Sequence, residues 1–192
     1  MKTKRFQGLL AVLTALAAAG HVSSELQTKA KHGQVKTTPL SIKYVAKNIE
    51  QGGGTIDLVD SNTKELVGVS NFRSNRLDTG NVFIFDTIRV YYAKDPNETD
   101  PSNVNYSSNL PTELDASELE FYTNGKKIVS IPLQSADYYQ NIDSGYAGFR
   151  LANPAYLLDN NEFEIKLKMP RAFGGTDHHF IKIEMEGIET II

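Results

Sequence analysis

Hydrophobic and polar positions along this chain follow two rhythms, and the change from one to the other divides it. From residue 55 onward apolar residues recur at every second position over short runs, which is the signature of strands with one face buried. Phe163, Ile165, Leu167 and Met169 alternate with Glu162, Glu164, Lys166 and Lys168. Ile181, Ile183 and Met185 alternate in the same way within His179–Glu186. In the run from Val82 to Tyr92, Val82, Ile84, Ile88, Val90 and Tyr92 fall on one face at period two, and Phe83 and Phe85 make the other face apolar at one end. A strand apolar on both faces is predicted to be covered on both, as a central strand of a sandwich or under another subunit. Ile56 and Leu58, a turn at Asp60–Thr63 and the return at Leu66–Val69 predict a hairpin. Asn124-Gly125 between Leu119–Thr123 and Lys126–Ile131 predicts a second one with a two-residue type I′ turn, because both turn positions need positive φ. Short strands bounded by Asn, Asp, Gly and Pro predict an all-β fold: an antiparallel β-sandwich, or a single jelly roll with an N-terminal helix or arm.

The first 24 residues follow a different pattern. Lys2, Lys4 and Arg5 precede an uncharged stretch, Phe6 to Ser24, rich in Ala and Leu. It reads either as a secretory signal, cut after about Ala19 or Ser23, or as a retained helix whose apolar face is Leu9, Leu13 and Leu16, with Gly20 as its stop. It is short for a membrane span, which needs ~20 strongly apolar residues. Residues 25–54 show little periodicity beyond Leu40, Ile42 and Tyr44, and they close on Gly52-Gly53-Gly54. The chain therefore divides into a hydrophobic N-terminal segment (1–24), a basic arm or linker (25–54) and a β-sandwich domain (55–192).

Charge sharpens this division. The net charge is −3, yet residues 1–50 carry eight Lys and Arg against Glu25 and Glu50, a balance of +6, which leaves −9 on the remainder. A cationic arm attracts nucleic acid, an anionic membrane or the acidic face of a neighbouring copy. Candidate assembly contacts are accordingly Lys2, Lys4, Arg5, Leu9, Leu13, Leu16, Lys29, Lys31 and Lys36, together with the 18-residue turn-rich loop 94–111, which is longer than most connections in compact domains.

The chemistry of catalysis is sparse. Cysteine is absent, so no thiolate site or disulfide framework exists. No nucleophile elbow, P-loop, dinucleotide fingerprint or zinc-protease pattern occurs. Asp95, Glu98 and Asp100 offer oxygen ligands without a recognised calcium-loop spacing. His178 and His179 adjoin in a strand-like run, where neighbours point to opposite faces and cannot share a metal. The expectation is a protein that is not an enzyme and has no cofactor, metal or catalytic residues.

Phe85–Tyr92, Glu118–Phe121 with its Asn124-Gly125 turn and Ile131-Pro132-Leu133, Phe149–Pro154 and Asp159–Ile165 together resemble the jelly-roll capsid proteins of tailless icosahedral bacterial viruses. The resemblance spans roughly residues 55–190 and lies in strand rhythm and phrasing. It implies a self-assembling virion shell subunit that forms homo-oligomers and contacts other virion proteins. Its basic arm would face the interior, toward nucleic acid or an internal membrane. Many such proteins carry two jelly rolls per chain; this chain has room for one. The rival expectation is a secreted or periplasmic β-sandwich binding module for carbohydrate or protein, with Tyr106, Tyr138, Tyr139 and Tyr146 as stacking platforms.

Overall fold

The computed structural model describes residues 2–50, 52–141 and 148–191. Its elements are α1 (Lys2–Ala18), α2 (Ser24–Lys31), β1 (Lys36–Thr37), β2 (Ser41–Glu50), β3 (Gly52–Val59), β4 (Phe83–Asp95), β5 (Glu118–Thr123), β6 (Lys126–Pro132), α3 (Leu133–Asn141), β7 (Phe149–Leu157), β8 (Phe163–Ala172) and β9 (His178–Ile191), with one 3-10 turn at Thr112–Leu114.

The innermost pairing is the one with the strongest local signal. β5 turns back onto β6 through Asn124 (φ 48°) and Gly125 (φ 72°), the positive pair that a type I′ turn demands. Outward from that turn β4 pairs β7, β3 pairs β8 and β2 pairs β9, all antiparallel. The chain is thus one long hairpin whose successive pairs lie alternately in two sheets. Their strand orders are β2-β9-β4-β7 and β3-β8-β5-β6, with β1 extending the β2 edge of the first sheet along β9. This nested order is a single jelly roll. The core lies between the sheets and includes Phe85, Ile88 and Val90 of β4, Leu119 and Phe121 of β5, Ile165 and Leu167 of β8, and Ile181, Ile183 and Met185 of β9.

Three sequence expectations are corrected. First, residues 25–54 are not a linker: they hold α2, β1, all of β2 and the start of β3, and β2 runs beside β9 from Ser41↔Gly187 to Glu50↔His179. The segment lacks clean alternation because Val45 and Ala46, adjacent and on opposite faces, are both buried. Second, Ile56 and Leu58 belong to β3, which pairs with β8; Leu66–Val69 forms a tight turn that leans on the β2 edge at Val45↔Ser70. Gly68 (φ 81°) and the almost fully exposed Val67 prevent a return strand there.

Third, Val82 and Ile84 do not share a face with Ile88 and Val90. Between Phe85↔Gly187 and Thr87↔Glu186 the strand carries one extra residue, Asp86, so β4 is bulged and its alternation shifts by one. Phe83 and Phe85 then face the core with Ile88 and Val90, whereas Val82 and Ile84 face outward. Gly187 sits opposite the bulge, where a Cβ would lie 1.9 Å from the Ile84 carbonyl oxygen, so only glycine fits.

Candidate functional site

The outward face made by the bulge is covered by the chain's own N-terminus. α1 places Leu9, Leu13, Leu16 and Ala17 on one stripe at helical spacing, and these pack with Val22 and Leu26 onto Val82, Ile84, Leu158 and Ile188. Leu9, Leu13 and Leu16 are all below 10% exposed. As assembly contacts they are thereby corrected: the face was legible, but the surface that covers it is this chain's own sheet. No helix among the described residues is long and apolar enough to cross a membrane.

Two polar anchors fix the helices. Arg5 donates through Nε to both Asp86 carboxylate oxygens (2.9 Å each), through a terminal nitrogen to Thr87 Oγ1 (3.1 Å), and makes further short contacts with Asp86 and Glu186. Arg89 donates to the other Glu186 oxygen (2.5 Å), and Arg150 stands 3.7 Å from Asp86. Pairing with Asp86 raises the Arg5 pKa further despite the opposing effect of burial. Burial works against the Glu186 charge, but Arg5 and Arg89 outweigh it and hold the carboxyl below its usual range. The second anchor is Asp159, buried, which accepts from the Ser23 backbone N–H (3.3 Å) and from that of Gly80 (2.8 Å).

The remaining predicted contacts lie on α1, α2 and β1. Lys2 lies in the first turn of α1, Lys4 is exposed, Lys29 pairs with Glu25 (2.7 Å, i to i+4), and Lys31 and Lys36 are exposed. Lys4, Arg5, Gly8, Arg150 and Pro154 line a cleft of about 330 Å³ beside the Asp86 cluster. The structure brings Arg5 together with the leucine face on α1.

Elsewhere the loop 94–111 is tied down by its own carboxylates. Asp95 Oδ1 accepts the backbone N–H groups of Asn97 and Glu98, Glu98 accepts those of Thr99 and Asp100, and Asp100 accepts from Ser102. No group of three or more metal-ligating side chains is gathered among the described residues. Of the tyrosines, Tyr106 is half-buried, donates to the Pro101 carbonyl (2.9 Å), and flanks Lys182 together with Tyr44 and Tyr91. Tyr138 is exposed on α3, the Tyr139 side chain lies outside the described part of that helix, and Tyr146 lies outside the described residues.

Sequence reasoning missed the surroundings of two buried polar side chains, Glu120 and His179. Glu120, on the outer face of the second sheet, is buried and accepts from Tyr122 (2.6 Å), Lys127 (2.9 Å) and Lys168 (2.8 Å). Burial opposes its charge, yet these three donors outweigh it and hold the carboxyl at about 2. The cross-strand placing of Lys168 opposite Glu118 and of Lys166 opposite Glu120 was a signal available only once the register was known. The other, His179, lies at one end of the barrel, where a cleft of about 800 Å³ is lined by Lys47, Glu50, Thr99, Thr176, Asp177 and His178, among others.

No protein-family model matches this chain, and no curated protein matches its sequence.

Proposed function

We propose that this protein is a shell-forming structural subunit: a single jelly roll that assembles with copies of itself into a closed icosahedral particle, with α1 and α2 as a layer on one sheet face turned toward the interior. A jelly roll serves both viral shells and lectin-like binding modules, so topology alone leaves both readings in place. The observation that favours the shell subunit is the Arg5 anchor. The secreted module requires loss of the first ~20 residues at a signal cut. That loss would strip a fitted helix from Val82, Ile84 and Ile188 and remove the guanidinium that Asp86 and Glu186 share. One of the two cut positions considered, Ser23, is held by buried Asp159. A helix that supplies both an apolar stripe and a charge partner to a strand bulge behaves as part of the mature fold.

The partners under this reading are copies of the same chain and other virion proteins, and its place is the virion. Nucleic acid is favoured over an internal membrane as the interior contact, because the apolar stripe of α1 is already spent on the sheet and the exposed side chains of the helix include Lys4 and Gln7. The test is intact and native mass of protein purified from its natural source. A chain retaining α1 within a large symmetric particle supports the proposal. A monomer lacking about twenty N-terminal residues overturns it in favour of the secreted module.

A further inference from the structure

His179 is an inward-facing side chain near the start of β9, 3% exposed, in line with the core residues Ile181 and Ile183. Its ring stacks on Phe173, just beyond β8, with centroids 3.8 Å apart and planes 6° from parallel. Nδ1 is 2.6 Å from the Tyr92 hydroxyl. Nε2 is buried without a hydrogen-bond partner among the described residues. A buried nitrogen left without a partner forfeits the hydrogen bond it had in water, so it calls for a physical account.

We propose that His179 is an acid-sensitive latch on the β8–β9 corner: the neutral ring clamps Phe173 against Tyr92 and closes this end of the barrel, and protonation of the ring releases it. A neutral imidazole accepts at Nδ1 from the Tyr92 hydroxyl and carries its proton on Nε2. A second proton turns Nδ1 into a donor, forces Tyr92 to reverse its role, and places a full charge in a site where Nε2 meets no acceptor among the described residues. The charged groups facing the ring divide in sign. Lys94 of β4 and His178 of the corner disfavour the cation, whereas Asp177 of the corner and Glu113 of the 3-10 turn favour it; Glu50 of β2 is its partner across the ladder. Asp177 is engaged by Lys94 at 2.6 Å, which blunts its help. Burial is the largest influence, and the His179 pKa is lowered. A histidine lowered in the folded state stabilises above its unfolded value, and that stability is lost as pH falls below it. The corner it releases, with Thr176, Asp177 and His178, forms one wall of the 800 Å³ cleft, so acid opens a surface as well as loosening a strand end.

The experiment is hydrogen exchange read by mass spectrometry over residues 173–179, at about pH 7.5 and about pH 5, with NMR titration of the histidine rings. Expected is protection that falls by about tenfold at the lower pH, after correction for intrinsic exchange, with His179 titrating below the ordinary histidine value. His179→Phe, which keeps the stack on Phe173, should abolish the pH response, and His178→Gln should retain it. Tyr92→Phe serves as the second variant if His179→Phe does not fold; it should weaken the corner at both pH values and shrink the difference. A pH response that survives in His179→Phe, or wild-type protection that does not change, would overturn the latch whatever the fate of the assembly proposal.

Discussion

Arg5 holds α1 because a planar fork can meet Asp86 and Glu186 at once, which a point charge cannot. Replacing it with Met leaves two carboxylates in a mostly buried site, with Arg89 and Arg150 as cationic partners and the Thr87 hydroxyl still donating to Asp86. Arg5→Met should therefore lower unfolding free energy by about 2–3 kcal/mol in urea titration, and Arg5→Lys should recover less than half of it. Glu120 makes a separate prediction about pH. Its carboxyl is held at about 2 in the folded state against an ordinary 4.5, so it binds fewer protons folded than unfolded. A depressed carboxylate contributes stability above its unfolded value, and that contribution fades as pH falls from 4.5 toward 2. Glu120→Gln should flatten the acid limb of the stability curve across that window and cost about 1–2 kcal/mol at neutral pH, discounted because Lys127 and Lys168 are half-exposed. An unchanged acid limb in thermal melts of the variant would remove Glu120 from the account.

At the scale of elements, what could be read from the sequence depended on whether the signal was local. The Asn124-Gly125 hairpin, β8 and β9 were legible because each carries its own alternation or turn chemistry. β2 was not, because its burial is dictated from outside: β9 on one side, the Leu66–Ser70 turn on the other, and cover on both faces. The bulge at Asp86 shows in the sequence only as two polar residues, Asp86 and Thr87, within an apolar run whose period-two pattern carries no mark of the extra residue. Leu9, Leu13 and Leu16 were correctly placed on one helix face, but a helix pattern does not say which surface completes it. Two glycines test this geometry in opposite directions. Gly187→Ala drives a methyl into the Ile84 carbonyl opposite the bulge and should destabilise by more than 3 kcal/mol, or prevent folding, as read by circular dichroism and yield. Gly8→Ala lies mid-helix with nothing within 4 Å of the new Cβ and should stabilise by about 0.5–1 kcal/mol, through helix propensity alone.

For the whole molecule, the structure redraws the electrostatic division. The arm ends at residue 33 rather than 54, since β1 and β2 belong to the sheet; residues 1–33 carry five Lys and Arg against Glu25, a balance of +4, and the jelly roll carries −7. Removing residues 1–50 would therefore delete both β1 and β2 from the sheet, whereas removing 2–33 deletes only the covering layer. The jelly roll keeps all nine paired strands in that truncation, so its far-UV spectrum should hold its strand signal. Its outer face would expose Val82, Ile84, Leu158 and Ile188, from which five large apolar side chains, Leu9, Leu13, Leu16, Val22 and Leu26, had excluded water. Each such burial is worth about 1.5–3 kcal/mol before the entropy of ordering the arm is set against it. The truncated chain should bind a hydrophobic dye and associate with rising concentration. A peptide of residues 1–33 added in trans should suppress both effects, and the same peptide with Arg5→Glu should not, because it brings a third carboxylate to Asp86 and Glu186. If the truncated protein stays monomeric, silent to the dye and as stable as the full chain, the helix does not rest on the sheet in solution, and the assembly proposal loses the observation that separates it from its rival.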